Sequence, residues 1–371
     1  MSRTRDEDAC PGALSVHQAA DGALARVRLP GGMITAAQLE ALAEASLQFA
    51  AGTIELTGRG NVQLRGITDT DAVAGAVSEA GLLPSPSHET VRNIVASPLS
   101  GRVRGLADIR PWVTGLDQAI QDDPALAALP GRFLFSLDDG TGDVSGLAAD
   151  AGVQVLPDGV ALLLAGRDIG VRLEGDRAVT ALVDIARRFT AARGKAWRVT
   201  ELDEPDRLLD GFTRTDPTLS IDQVTKPPVG WIEQDDGQVA LGAAVRLGVL
   251  TARQAQFVAA IGAPVVITPW RSLLICDLDE GVADTSLRVL APLGLVFDET
   301  SRWLEVSACV GSPGCERSRA DVRSEASAVA AAGSGTGRVH YVGCERACGK
   351  PVAGQVLVAT GSGYEPHQPH S

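Results

Sequence analysis

Residues Ile34-Thr35-Ala36-Ala37-Gln38 are echoed by Leu250-Thr251-Ala252-Arg253-Gln254, and the surroundings of the two copies are alike as well. Ahead of each lies an alternating, strand-like run, 23–29 in the first copy and 239–247 in the second. Behind each comes an apolar-faced helix with a threonine placed to cap it; the first covers 36–49, with Leu39, Leu42 and Ala43 on one face, and the second runs to 261. Then Gly52-Thr-Ile-Glu-Leu-Thr57-Gly-Arg-Gly-Asn-Val-Gln-Leu64 parallels Pro264-Val-Val-Ile-Thr268-Pro-Trp-Arg-Ser-Leu-Leu-Ile275, a strand, a turn and a strand, and a helix over 69–80 closes the first unit. Identity between the copies is low, and a coincidence of Thr-capped helices is the bland reading. The shared element order and the placing of Thr-Ala-x-Gln favour a duplication. Two copies do not make a solenoid, but they can pair about a pseudo-two-fold axis and leave a common cleft.

The 371 residues suffice for several domains with a substantial core. An apolar fraction of 45% and a charged fraction of 21% are those of a globular protein, and 4% aromatics predict an aliphatic core. No uncharged apolar run reaches membrane-span length, and the polar start Met-Ser-Arg-Thr-Arg-Asp-Glu-Asp lacks a signal-peptide core, so a cytoplasmic location and no membrane partner are expected. A net charge of −13 argues against nucleic acid as a partner, while leaving room for a local basic pocket.

The expected layout is an arm over 1–22, a half-domain over 23–87, an α/β segment over 88–225, the second half-domain over 226–300, a cysteine-bearing domain over 301–360 and a flexible tail over 361–371. Within the α/β segment, 133–137, 160–164 and 167–173 read as strands and 178–192 as an amphipathic helix with Arg187, Arg188 and Arg193 near its C-terminal end. The acidic, Pro-containing stretch 201–228 reads as a linker, 318–332 as a helix and 339–342 as a strand.

Four of the six cysteines fall near the C-terminus, as Cys309-x5-Cys315 and Cys344-x3-Cys348, each pair in a loop after an apolar strand. Clustered thiols in such a chain point to metal binding rather than to a disulfide framework. Zinc ribbons favour C-x2-C knuckles. Four thiolates in unequal loops suit a [4Fe–4S] cluster better, with zinc as the weaker option. Gly311, Gly314, Gly343 and Gly349 let backbone N–H groups approach the sulfurs. Cys10 and Cys276 lie apart and read as free or core thiols. His340, just before the second pair, is either packed or a ligand; His88 is similar, and His367 and His370 fall in the tail. Gly333-Ser-Gly-Thr-Gly337 joins a helix to a strand, the wrong order for a phosphate loop, and no dinucleotide fingerprint is present.

The cysteine quartet resembles the cluster motif of the sulfite/nitrite reductase superfamily. Arg28-Leu-Pro-Gly-Gly32, Thr57-Gly-Arg59-Gly-Asn61-Val-Gln63-Leu-Arg65-Gly66, Arg92-Asn93-Ile-Val-Ala-Ser97-Pro98 and Leu129-Pro130-Gly-Arg132-Phe133 resemble its tetrapyrrole-binding segments. Cys10-Pro-Gly12 with Asp21-Gly22, the segment 55–65, Ser97-Pro98-Leu-Ser-Gly101 and Leu137-Asp138-Asp139-Gly140 are similar to the aerobic precorrin-3B synthase branch of cobalamin biosynthesis. Sirohaem reductases carry two lysines in the segment matching 131–134, where this chain has Arg132 and Leu134, and they tend to place a basic residue where Glu55 stands.

The resemblance implies an α+β fold: duplicated ferredoxin-like half-domains plus two α/β domains, forming a tetrapyrrole cleft over a [4Fe–4S] cluster held by Cys309, Cys315, Cys344 and Cys348, with Cys348 facing the substrate. It implies an oxidoreductase, a monooxygenase that uses O2 to hydroxylate precorrin-3A at C-20 with lactone formation. Arg28, Arg59, Asn61, Gln63, Arg65, Arg92 and Arg132 are the candidate substrate-binding residues, since guanidinium forks suit a ligand edged with carboxylates. A second, non-haem iron and an external electron donor, ferredoxin or NAD(P)H through a reductase, belong to the same expectation. The alternatives are a sirohaem-dependent sulfite or nitrite reductase and a non-catalytic iron–sulfur electron-transfer or tetrapyrrole-binding protein.

Overall fold

The structure, a computed structural model, describes residues 10–217, 219–222, 224, 226–351 and 353–368. The first nine residues of the expected arm, three positions of the expected linker, residue 352 and the end of the tail with His370 lie outside the described residues.

The two copies each form a five-stranded antiparallel sheet, and each sheet is completed by the other copy. The first runs, in order, His17–Ala19, Gly22–Val27, Val62–Ile67, Thr53–Leu56 and then Val249–Thr251. The second runs Gly230–Glu233, Val239–Ala244, Ser272–Leu278, Val265–Ile267 and then Met33–Ile34. Leu250 thus pairs with Ile54, and Ile34 with Val265. To make this exchange the chain leaves its own sheet early. The strands expected over 23–29 and 239–247 stop at Val27 and Ala244, and a tight turn follows in which Gly31 (φ 63°) and Leu247 (φ 53°) both turn left-handed. Helices α1 (Ala36–Phe49) and α2 (Thr70–Glu79) cover the first sheet.

Both copies start their first helix with a reciprocal capping box. Thr35 Oγ1 accepts from Gln38 N–H (3.2 Å) while Gln38 Oε1 accepts from Thr35 N–H (3.1 Å); Thr251 and Gln254 repeat this at 3.2 and 2.9 Å. The spare amide of each glutamine then donates to a carbonyl at the end of its copy's second helical segment, Ala80 O and Leu293 O. One core runs through both copies, with Leu39, Leu42, Ile54 and Leu64 from the first and Leu250, Val258, Ile267 and Ile275 from the second. Each such side chain contributes about 1.5–3 kcal/mol by leaving water, and truncating Leu39 to Ala costs about 2–5 kcal/mol.

Between the copies, Ile94–Ala96, Phe135–Asp138 and Ala151–Leu156 run parallel, and Gly159–Leu164 and Arg167–Leu173 extend the sheet antiparallel. Helices α3 (Arg110–Gln121) and α4 (Ala178–Ala192) share a core with it that includes Phe133, Phe135 and Phe189. The stretch expected as a linker is docked over its first part: Leu208 and Leu209 are buried in this core, and Thr215 N–H donates to Gly170 O. The second copy adds α5 (Ala252–Ala259) and α6 (Glu280–Leu290).

The last sheet holds Val306–Ala308, Val339–Val342 and Gln355–Ala359 in parallel, plus Tyr364–Pro366 antiparallel, with α7 (Val322–Ala331) packed on it. The expected flexible tail is therefore ordered at its start. Tyr364 stacks edge-on against Tyr341 at 5.1 Å, and His367 N–H donates to Val356 O. The arm is fastened as well: the Glu89 carboxylate accepts from the Ala13, Leu14 and Ser15 amides at 2.7–2.9 Å. A side chain at Gly12 would collide with that carboxylate, which accounts for the glycine.

Candidate functional site

Parallel neighbours end at the same edge of a sheet. Because 306–308 and 339–342 are parallel neighbours, the loops that follow them, carrying Cys309 and Cys344, emerge together. Gly343 N–H points at Cys309 Sγ (3.3 Å), and the Cys348 thiol is held above its ordinary range by burial and by Cys309, Cys344 and Cys315 around it. Among the described residues no three His, Cys, Asp or Glu side chains close around a single ion. Cys309, Cys344 and Cys315 all act on the Cys348 thiol, so the four lie near one another; the ligands of a four-iron cage stand farther apart than those of one ion.

Each cysteine loop is bolted from elsewhere in the fold. Arg65 donates to Gly314 O (3.0 Å), next to Cys315. Arg271 donates to Gly349 O (3.0 Å), next to Cys348. His340, fully buried, gives its Nε2–H to Cys348 O (3.0 Å), so its Nδ1 accepts from the Ser307 hydroxyl (2.8 Å). Burial, partly offset by that bond to Cys348, takes the ring down to about 4 and keeps it neutral. His340 orients the loop and has both nitrogens engaged.

The duplication shows which sheet face is specialised. Across the first sheet, Arg26, Gln63, Glu55 and Val249 stand in one row; in the second the row is Gly242, Leu274, Val266 and Met33. The second row packs into an apolar cluster of Ala240, Val266, Leu274 and Cys276 beside Leu99 and Ile232. Burial pushes the Cys276 thiol up to about 12, as expected of a core thiol. The first face stays polar, though it too is largely covered: Glu55, Asn61, Arg28 and Arg65 are all buried. Its cover includes α7, whose Arg323 donates to Glu55 Oε1 (2.5 Å) while Gln63 donates to Glu55 Oε2 (2.6 Å). Gln63 Oε1 accepts from Arg26 (3.0 Å). Buried polar atoms are normally satisfied. Here Arg28 Nη1 and Arg323 Nε have no hydrogen-bond partner among the described residues.

Apart from Gln63 on the polar face, the candidate residues fall into three groups. Arg28, Arg59 and Arg132 gather where the backbone at Thr90 meets that at 131–132: Arg28 donates to Thr90 O, and Arg59 donates to Gly131 O and Arg132 O. Burial, with Arg26 adding to it, takes Arg28 down to about 9, and burial with Arg198 takes Arg59 to about 10. Cys10 stands beside both, and its sulfur lies 3.4 Å from where a Gly131 Cβ would be. Arg132 itself is exposed, over the Trp197 ring at 5.1 Å. Asn61 accepts from Leu29 N–H (2.8 Å) and donates to Asn93 (3.1 Å), so it ties the Gly31 turn to the next segment. Arg65 and Arg92 have closed on carboxylates, Asp21 and Asp117, in two-pronged pairs. Those two guanidiniums brace the frame.

No local pattern marks Arg271, Arg323 or Trp270. Arg271 and Trp270 line an open cleft of about 1010 Å³, including its solvent-open part, together with Gly58, Leu247, Trp303 and Lys350. Arg323 is invisible to local patterning because its meaning depends on Glu55, far away in the chain.

Residues 17–74 match the nitrite/sulfite reductase ferredoxin-like half domain. Over 96% of this chain and 81% of the relative's length, the sequence is 27% identical to a precorrin-3B synthase from a Sinorhizobium species. A ferredoxin–nitrite reductase from Synechococcus elongatus is 34% identical over 32% of this chain and 25% of its own, and a chloroplastic one from Zea mays 32% identical over 29% and 21%. The solved structure of the Mycobacterium tuberculosis NirA protein has the same fold, with a TM-score of 0.78 at 20% identity over 93% of this chain and 73% of that one.

Proposed function

From the half-domain match and the near-full-length likeness to a precorrin-3B synthase, we propose that the chain is a member of the sulfite/nitrite reductase superfamily and a precorrin-3B synthase-like monooxygenase acting in cobalamin biosynthesis. Its substrate would be precorrin-3A. One atom of O2 goes to C-20, two electrons and two protons carry the other to water, and a ring A acetate closes the lactone. The observation that carries this reading is the buried polar face of the first sheet, rich in arginine and covered in part by α7, which lies between the two cysteine pairs, where the duplicate face is plain core.

A cluster on Cys309, Cys315, Cys344 and Cys348 would supply electrons singly, drawn from ferredoxin or from NAD(P)H through a reductase. The chain's own residues do the rest. Arg28, with a buried unpartnered Nη1, is placed to take a substrate carboxylate, and Arg59 and Arg26 raise the positive potential around it. Glu55 and Gln63 hold Arg323 and Arg26 at fixed points on the face, so the macrocycle meets preset donors. His340 and Arg271 fix the Cys348 loop against the same region.

Leu134 bears on the reductase alternative. It packs with Val95 and Ala149 in a small apolar cluster, and so provides no cation for an oxyanion at a position where sirohaem reductases are expected to carry lysine. The nitrite reductase matches also reach only about a quarter of those proteins. No described helix is long and apolar enough to cross a membrane, and a cytoplasmic setting is part of the proposal. Anaerobic purification followed by absorption and paramagnetic resonance spectra tests the cofactor content. The proposal expects cluster signals without sirohaem; a sirohaem spectrum would favour the reductase.

A further inference from the structure

The turn between the two inner strands is built the same way in both copies. In the first, Thr57 Oγ1 accepts from the Arg59 and Asn61 amides (3.4 and 3.2 Å) and Gly60 N–H returns to Thr57 O. In the second, Thr268 Oγ1 accepts from the Trp270 and Ser272 amides (3.3 and 3.4 Å) and Arg271 N–H returns to Thr268 O. The third residue of the turn must be left-handed: Gly60 has φ 67° and Arg271 has φ 58°. Glycine takes that conformation freely and an arginine does not. The second copy therefore keeps a strained side chain where the first shows that none is needed, and such strain concentrates at functional positions.

The surroundings are cut to admit this side chain. A Cβ on Gly248 would come within 3.0 Å of Arg271 Cδ, and one on Gly349 within 2.7 Å of Nη2. Through that slot the guanidinium reaches Gly349 O (3.0 Å), one residue beyond Cys348. Burial draws the guanidinium below its ordinary value and Arg323 adds to that, while Glu55 and Cys309 oppose it; the guanidinium also acts on His340.

We propose that Arg271 is a positioning residue for the cysteine centre: it fixes the Cys348 loop and holds a cation against the thiolates, which raises the reduction potential of the cluster they carry. The inference rests on the quartet binding an iron–sulfur cluster, as proposed above. A nearby positive charge favours the state with the extra electron, and potentials of such clusters follow local charge and hydrogen bonding. The purpose of the strained turn is then electrostatic, since the fold itself would be better served by glycine.

The test compares the full-length wild type with R271G and R271K, each with its cluster reconstituted anaerobically, by redox titration followed by paramagnetic resonance. Thermal unfolding of the cluster-free chains runs alongside. R271G should be at least as heat-stable as the wild type, yet titrate at a more negative potential, and R271K should recover part of the shift. A folded R271G that assembles no cluster where R271K does would also support the role. An R271G potential equal to that of the wild type overturns it, as does an R271K potential no closer to the wild type than R271G. If the wild type itself binds no cluster, the reading of the quartet fails and the inference goes with it.

Discussion

Arg65 donates to the carbonyl of Gly314 at 3.0 Å, and this one bond joins the polar sheet of the first half-domain to the loop that carries Cys315. The same guanidinium is gripped by Asp21 at 2.8 and 3.0 Å, so strand, arm and cysteine loop meet at a single side chain. Arg65, a candidate substrate ligand by its motif, also acts as a strut beneath the Cys315 loop.

Arg65→Ala removes that strut and leaves Asp21 and the Gly314 carbonyl without their partner. The expected cost is about 2 kcal/mol in denaturant unfolding, below the value for a fully buried pair because Asp21 is partly exposed. Iron and sulfide per chain should fall too. Full stability with full iron content would show that the strut is dispensable.

Gln38→Ala and Gln254→Ala strike equivalent bonds in the two copies, a capping-box half and a tie to Ala80 O or Leu293 O. Each should cost about 1 kcal/mol. Urea titration of both variants checks this; a large loss in one and none in the other would mean that the two copies do not share their energetics.

Asp143 is pushed up to about 7 by burial, with Asp138 adding to it, while its bond to Ser97 (2.6 Å) pulls the other way. The folded chain therefore binds this proton more tightly than the unfolded chain. The resulting stabilisation is complete below the unfolded value of 3.8 and is lost as pH rises through about 7. Asp143→Asn should flatten the decline in unfolding free energy between about pH 4 and 7. An unchanged slope would remove Asp143 as its source.

Cys344→Ser should abolish cluster signals and turnover together, since Cys344 stands among the thiols around Cys348. Turnover that survives without a cluster would contradict the electron-relay role.

Local chemistry wrote much of this fold plainly into the sequence. Thr35 and Thr251 with their glutamines announced two helix starts, and the boundaries 36–49, 167–173, 178–192 and 339–342 coincide with observed elements because each has a clear period and a clear stop. The cysteine loops converge because their strands are parallel neighbours, and their placing after two apolar strands already pointed there. The exchange of Met33–Ile34 and Val249–Thr251 between sheets could not be read, since a strand's alternation does not name its partner. Nor could Arg92's closure on Asp117, a pairing across folded space. Arg271 was hidden for a different reason: Pro269-Trp270-Arg271-Ser272 contains no glycine to mark a left-handed turn, and only the aligned Gly60 exposes it.

Mass analysis of a single turnover tests the central claim most directly. The purified, reduced chain is mixed with precorrin-3A under isotopically labelled O2. The account predicts a product heavier by one oxygen atom, labelled, formed only when electrons and O2 are both supplied. Unchanged precorrin-3A under those conditions, from a chain whose cluster is intact and reducible, would contradict it.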